Sequence, residues 1–282
     1  MSHETRDEAL ACLDTLTAAG ADEIVLVDTG STDGTADAVR LARPDVRVLE
    51  LANAGFGRGA NAGVRATSAP FVAVSNADVR FAPESLTTLA TTLDADAGLG
   101  AAGPTVRYPD GRHQASARRL PDVPTAVGHA LLSRVAPGNR WTRRYRAADA
   151  DPGQPRDADW LSGCALLLRR TAFDAVGGFD PGYHLYVEDV DLGLRLRAAD
   201  WRLRYEPDAE AVHSVGASTR KRRVRTVVTH ARSLDRFHRR HLATGPAGRL
   251  ARPFVRAGLA GWVAVTVVWE RVAGRGRSTT GE

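Results

Sequence analysis

The 282-residue chain contains a single lysine (Lys221), a single methionine and two cysteines, and only 6% of its residues are aromatic. Each scarcity removes a class of protein. Cys12 and Cys164 lie far apart, without metal-ligand spacing and inside apolar patterns. A disulfide scaffold and a cysteine metal site are therefore both excluded, and the pair reads as small core residues in a reducing compartment. Residues 3–8 are mostly charged and hold no apolar signal core, so the expected location is cytoplasmic. Long hydrophobic runs are missing as well. The longest, residues 254–269, is interrupted by Arg256 and falls short of the roughly 20 residues that a spanning helix needs.

What is present is enough for a large core. With 43% hydrophobic residues, the chain is expected to form one α/β domain over residues 1–219, followed by a basic and apolar helical appendage over residues 220–282. The net charge of +5 is unevenly spread, because Arg220 to Arg256 is dense in arginine and holds one acid, Asp235. Such a segment expects an anionic partner. It contains no recognised nucleic-acid reading motif, and two readings stand: a helical appendage packed on the α/β domain, or peripheral contact with an anionic membrane surface, where basic residues would attract lipid headgroups while Phe254, Leu259, Trp262 and Trp269 enter the interface.

In order, the pattern predicts a helix over residues 6–19 stopped by Gly20, a strand over 24–28, a polar acidic turn over 29–35, and a helix stopped by Pro44. A second strand over 46–51 leads through a glycine-rich turn into another helix. A third, over 70–78, runs out of apolar residues at Asp78. Alternation with short turns predicts a mostly parallel sheet covered by helices. In such sheets ligands bind beyond the carboxyl ends of the strands, so Asp78 is placed either to meet a ligand or metal or to cap a turn.

The glycine-rich turn supports a competing reading. Gly55-x-Gly57-x-x-Ala60 follows a strand and opens a helix, with Asp78 about 20 residues on, as in a nicotinamide-dependent oxidoreductase. The motif is short, it lies in the second strand-helix unit, and the only lysine sits outside the sheet pattern. A non-catalytic nucleotide-sugar-binding protein is the other alternative.

Val27-Asp28-Thr29-Gly30-Ser31-Thr32-Asp33-Gly34-Thr35 resembles the nucleotide-binding signature of the family-two inverting glycosyltransferases, which have a GT-A nucleotide-diphospho-sugar transferase fold. Later segments match in order. Asn53-Ala54-Gly55-Phe56-Gly57 with Asn61 resembles the second motif, and Asn76-Ala77-Asp78 stands where the family has its metal-binding acids. Gly163 lies in a segment resembling the donor-sugar motif. Gly177-Gly178-Phe179-Asp180 with Glu188-Asp189-Val190-Asp191 resembles the acceptor-side acidic motif, and His213 with Ser218 the motif after it. The motif spacing is similar to that of bacterial rhamnosyltransferases acting on polyprenyl-diphosphate sugars. Two departures are Asn76, which cannot supply a first carboxylate, and Thr29, where many relatives have asparagine.

The resemblance implies a nucleotide-diphospho-sugar donor and a glycan or glycolipid acceptor. It also implies a Mg²⁺ or Mn²⁺ ion shared by Asp78 and His213, with Asp189 as general base and Glu188 beside it. Asp28, Ser31, Asp33, Asn53, Gly55, Asn61, Asn76 and Gly163 are the expected donor contacts. Carboxylates such as Asp28 and Asp33 accept from base N–H and hydroxyl groups, though the same residues are ordinary turn formers. Residues 106–159 hold a hairpin signal at Tyr108 to Gly111 and the pair Arg118-Arg119. Acceptor specificity is expected in that passage. Relatives begin with a buried apolar strand that has no counterpart here, so an inner sheet position is expected to lack its strand.

Overall fold

A computed structural model describes residues 1–120, 125, 128, 129, 132, 136, 138–147, 150–214 and 223–275, without the side chains of residue 223 and residues 269–275. Ser218 and the basic run at 220–222 lie outside the described residues.

The first half alternates as its periodicity requires. It runs α1 (Arg6–Leu16), β1 (Val25–Asp28), α2 (Thr35–Ala42), β2 (Arg47–Glu50), α3 (Phe56–Arg65), β3 (Phe71–Ser75), β4 (Val79–Phe81), α4 (Ser85–Ala95) and β5 (Leu99–Arg107). The middle contributes β6 (His113–Gln114), β7 (Ala117–Arg118), α5 (Arg140–Tyr145), β8 (Arg156–Ala158), β9 (Trp160–Leu161), β10 (Ala165–Arg169) and α6 (Arg170–Ala175). Then come α7 (Glu188–Ala198), β11 (Arg202–His213), α8 (Arg223–Phe237), a π-helical turn (His238–Leu242) and α9 (Pro246–Arg275).

The main sheet has the order β3-β10-β5-β11-β4, with β6 on β5 and β8 on β11. Its centre is buried on both faces, as period-two alternation of side chains requires. Leu166 and Leu168 of β10 pack with Val74, Leu192 and Leu196 on the side of α7. Leu167 packs with Leu86, Leu89 and Leu93 on the side of α4. Full burial of each such leucine stabilises the fold by about 1.5–3 kcal/mol.

The α/β class is as expected, but the strand directions are mixed. β1–β2 and β5–β11 are parallel. β10 runs antiparallel to both β3 and β5, and β4 to β11. The helical crossover through α2 imposes parallel pairing on β1–β2, whereas β10 enters after the long passage that follows β5. An apolar run buried on both faces reads the same in either direction, so the sequence did not carry this reversal. β3 also stops at Ser75, which leaves Asp78 in the turn before β4 and not on a strand.

β1 and β3 are not paired with each other. Among the described residues, the position between their facing edges is held by Met1 and Ser2. Ser2 N donates to Val27 O and Thr29 N to Ser2 O, both at 2.9 Å, while Ala77 N donates to Met1 O at 3.0 Å. The Met1 ammonium donates to Ser75 O at 2.9 Å, the bond that a strand N–H would make. Behind Met1 a cavity of about 300 Å³ continues between Val25–Val27 and Phe71–Val74.

At the other end of the chain, α9 runs for 30 residues and includes Pro253. Its stretch Pro246–Val268 is long and apolar enough, by length and composition, to cross a membrane. That corrects the shorter span expected from residues 254–269, because the helix gathers Leu250 and its small neighbours into the same segment. Leu250, Phe254, Val265 and Val268 are exposed at 60–78%.

Candidate active site

Two acidic centres face the same end of the sheet. The first is built where β3, β4 and β11 meet. The β11–β4 register sets His213 against Val79, and Ser214 N donates to Asp78 O at 3.0 Å. This brings His213 Nε2 to 3.2 Å from Asp78 Oδ1, with both side chains about nine-tenths buried. His213 Nδ1 donates to Gln114 Oε1 at 3.0 Å. Burial opposes the charged imidazole, but the bond to Asp78, with Cys164 alongside, pushes His213 up to about 10. Asn76 Nδ2 lies 3.4 Å from the same Nε2.

No group of three His, Cys, Asp or Glu side chains gathers here among the described residues. The donor set still fits a hard divalent cation. Such ions keep several waters and take one or two protein ligands together with substrate phosphates. Gln114 holds Nδ1–H, which aims Nε2 at the position shared with Asp78, the outer-shell support that a ligating histidine requires. Sequence reading missed Gln114. The hairpin at Tyr108 to Gly111 was legible, and it folds Gln114 back onto Val106.

The second centre opens α7. Glu188 is 6% exposed, and its Oε2 has no hydrogen-bond partner among the described residues. Burial and the neighbouring Asp189 push its carboxyl up to about 8. Asp189 accepts Gly163 N on Oδ2 at 3.0 Å and Val190 N on Oδ1 at 2.8 Å. Burial raises its pKa against those two bonds and against the charge of Arg118. The backbone entering the helix is strained, with Tyr186 and Val187 both left-handed at φ 67° and 72°. Gly193 lets α7 approach β9, since a Cβ there would meet Trp160 Cβ at 2.7 Å.

Asp191 faces the other way, as two residues on a helix (about 200°) dictate. It is fully buried, with Arg195 Nε at 2.7 Å, His241 Nε2 at 2.6 Å and Tyr183 Oη at 3.3 Å. Asp180, eleven residues earlier, receives Arg236 on both oxygens and Arg240 at 2.6 Å. The π-helical turn and the end of α8 are thereby fastened to the segment that leads into Glu188. Nothing in the local sequence announced this fastening, because the partners lie about 50 residues apart.

The expected donor contacts divide into two groups. Asp28 is 2% exposed and accepts Ser31 N at 3.1 Å and Ser31 Oγ at 2.5 Å. Ser31 Oγ also accepts Glu4 N at 2.8 Å. Asp33 accepts Thr35 N and Arg6 N, both at 3.1 Å, and bonds from Thr35 and Arg6 outweigh its burial to lower its pKa. These three residues form one closed turn beside the cleft between β1 and β3. Gly55, at φ 105°, closes against the opposite loop, where a Cβ would meet His184 O at 2.5 Å. Asn53 is exposed on the loop before it. Asn61 is placed differently from the expectation. Its Nδ2 donates to Phe179 O at 2.8 Å and its Oδ1 accepts Phe179 N at 2.9 Å, so both ends of the amide hold backbone.

An α/β sheet with a cation-compatible Asp–His pair at one strand end, and a buried acid pair facing it, defines a nucleotide-diphospho-sugar transferase class of protein. Comparison with known proteins makes this specific. Residues 3–177 match the model of the family described as glycosyl transferase family 2, and the chain belongs to that family. It is 40% identical over 222 residues to an N-acetylglucosaminyl-diphospho-decaprenol L-rhamnosyltransferase of Mycobacterium tuberculosis, covering 74% of this chain and 72% of that one. It is also 49% identical over 55 residues to the rhamnosyltransferase WbbL of Escherichia coli, covering 20% and 21%. Among solved structures it resembles the mannosyltransferase PcManGT of Pyrobaculum calidifontis, in complex with GDP-Man and Mn²⁺. The TM-score is 0.59 at 18% identity, covering 95% of this chain and 73% of that one. That likeness establishes the GT-A fold, and the chain is a glycosyltransferase.

Proposed function

We propose that this glycosyltransferase is inverting and divalent-cation-dependent. It moves a sugar, L-rhamnose on the strength of its relatives, from a nucleoside diphosphate to a hydroxyl of a polyprenyl-diphosphate-linked or cell-surface glycan. The observation that carries the reading is the Asp189 carboxylate, held by the Gly163 N–H beside a buried and unpaired Glu188 oxygen. Single displacement needs a carboxylate to take the acceptor's proton as the hydroxyl attacks, which is the role of Asp189. Glu188 Oε2 orients the acceptor's hydroxyls. The donor's base and ribose lie along Asp28, Ser31 and Asp33 with Asn53 and Gly55, and its sugar against Asn76 and Gly163.

Asp78 and His213 would hold Mg²⁺ or Mn²⁺, and the cation supplies charge stabilisation for the departing diphosphate. Residues 1–219 form the catalytic unit and 220–282 the appendage. The enzyme acts at the cytoplasmic face of the plasma membrane. There the exposed apolar side chains of α9, interleaved with Arg249, Arg252 and Arg256, meet anionic lipid.

The test incubates the protein with nucleoside-diphosphate sugars, L-rhamnose donors included, a prenyl-diphosphate-linked N-acetylglucosamine and Mg²⁺ or Mn²⁺. Nucleoside diphosphate release and the anomeric configuration of the product are measured. Retention of configuration, or full activity in chelator, removes the corresponding part of the proposal. Sedimentation with anionic and neutral vesicles at low and high salt tests the membrane contact. Equal, negligible pelleting in every condition removes it.

A further inference from the structure

The acceptor side of the cleft holds an arginine, Arg118, that forms no ion pair with a carboxylate among the described residues. Arg118 ends β7, and the β7–β9 register sets it opposite Trp160, three residues before Gly163. Gly163 in turn bonds Asp189, so a two-residue ladder delivers the guanidinium to the neighbourhood of the buried acid pair.

Among the described residues, the groups that touch Arg118 are neutral. Its Nε donates to Ala115 O at 2.5 Å, and its Nη1 lies 3.5 Å from Tyr145 Oη. The guanidinium carbon sits 4.9 Å from the Trp160 ring centre and 5.5 Å from that of Tyr145. Rings and a carbonyl orient the fork while leaving its charge intact. Among the described residues, no carboxylate forms an ion pair with it. The nearby Asp189 feels its charge, yet that carboxylate is already held by two backbone N–H groups. Arg119 beside it is exposed, and α5, whose Tyr145 meets this guanidinium, adds Arg140, Arg143 and Arg144. The result is a half-buried, pre-oriented cation with free donors, flanked by further positive charge. Planar forks of this kind bind phosphate oxygens two at a time.

In the reaction proposed above, on which this inference rests, the acceptor sugar lies between its attacking hydroxyl and its own diphosphate. We infer that Arg118 is the anchor for the acceptor's diphosphate, and that it sets the enzyme's preference for diphosphate-linked acceptors. The donor's diphosphate belongs to the opposite centre at Asp78 and His213, so the two anions have separate partners.

The experiment compares two acceptors bearing the same N-acetylglucosamine, one on a short prenyl diphosphate and one on an uncharged alkyl chain, with the full chain as wild type, Arg118→Gln and Arg118→Lys. Loss of a charge-assisted bond predicts that Arg118→Gln raises KM for the diphosphate acceptor by roughly 10–100-fold. KM for the alkyl glycoside and for the donor should change by less than about two-fold, inside the usual scatter for a site not touched. Arg118→Lys, which keeps the charge but not the fork, should fall between. A diphosphate preference that survives Arg118→Gln, or an equal rise for both acceptors, overturns the Arg118 assignment and leaves the glycosyltransferase reading standing. Wild-type indifference to the diphosphate overturns the acceptor class proposed above, and this inference with it.

Discussion

Gly163 N donates to Asp189 Oδ2 at 3.0 Å, which joins the loop before β10 directly to the first turn of α7. The bond aims one carboxylate oxygen and leaves the group beside Glu188, whose Oε2 has no protein partner. The two elements therefore meet at a single side chain, while the Asp78–His213 pair stands at the end of β11.

At that pair, Gln114 is the residue whose removal is most informative. It holds His213 Nδ1 and touches no other catalytic group described above. Gln114→Leu should weaken metal affinity or activity by about 10–100-fold, as loss of an outer-shell partner does. Asp78→Asn should do at least as much, with the fold intact by circular dichroism. Metal titration of turnover checks both. Unchanged curves for both variants would show that the cation, if any, is held elsewhere.

Asp191 predicts stability rather than chemistry. It is fully buried and bonded by Arg195, His241 and Tyr183. Asp191→Asn strips the charge from a buried ion network and should lower unfolding free energy by about 3 kcal/mol. Urea denaturation measures it. A loss below about 1 kcal/mol would mean that the network is loosely made.

The cleft between β1 and β3 predicts a gain. Met1 buries an ammonium where a strand would place an amide, and burial lowers its pKa. Extending the chain ahead of Met1 with β-branched residues, as many as the five of β3, should fill the cavity and pair both edges. Melting temperature should then rise by roughly 5–10 °C. A glycine-serine extension of equal length is the control, and an equal rise with it would show that strand pairing is not the cause.

Much of this was legible in the sequence, for identifiable reasons. The acidic turn, the glycine-rich loop and the Glu188-Asp189 pair depend on local spacing, and local spacing survives in one dimension. The roles of Asn61 and Asp191 depend on what packs against them. Asn61 looks like a donor contact until Phe179 is brought to its amide. Asp191 stands in the same acidic motif as Asp189, and only the arrival of His241 from fifty residues on sets it apart. The reversal of β10 was invisible for the reason given by its burial on both faces.

The Glu188 carboxyl gives a pH prediction of definite sign. Its pKa rises from 4.5 unfolded to about 8 folded. Between those values the folded state binds more protons than the unfolded state, so stability falls as pH rises through that window. The slope approaches about 1.4 kcal/mol per pH unit for one proton. Glu188→Gln should flatten that segment of the stability curve. Urea midpoints from pH 5 to pH 8 for both proteins check it, and a Glu188→Gln curve that keeps the wild-type slope would contradict the buried, protonated Glu188.

Asp189 carries the final prediction. Three acids stand within four residues, and their environments separate them. Asp191 is turned away and fully bonded. Glu188 is buried and protonated through much of the neutral range, which suits an orienting group better than a base. Asp189 is half-buried, and each of its oxygens accepts a backbone N–H. Burial raises its pKa, and those bonds, with the charge of Arg118, oppose that rise by favouring the carboxylate form. Asp189→Asn keeps the volume and can no longer take the proton. Turnover should fall by roughly 10²–10⁴-fold while donor KM and stability stay near wild type. Glu188→Gln should mainly raise KM for the acceptor. Steady-state kinetics with both substrates varied, alongside urea denaturation, separates the two. If Asp189→Asn keeps its turnover while Glu188→Gln loses it, the proton goes to Glu188, and Asp189 is a structural partner of Gly163.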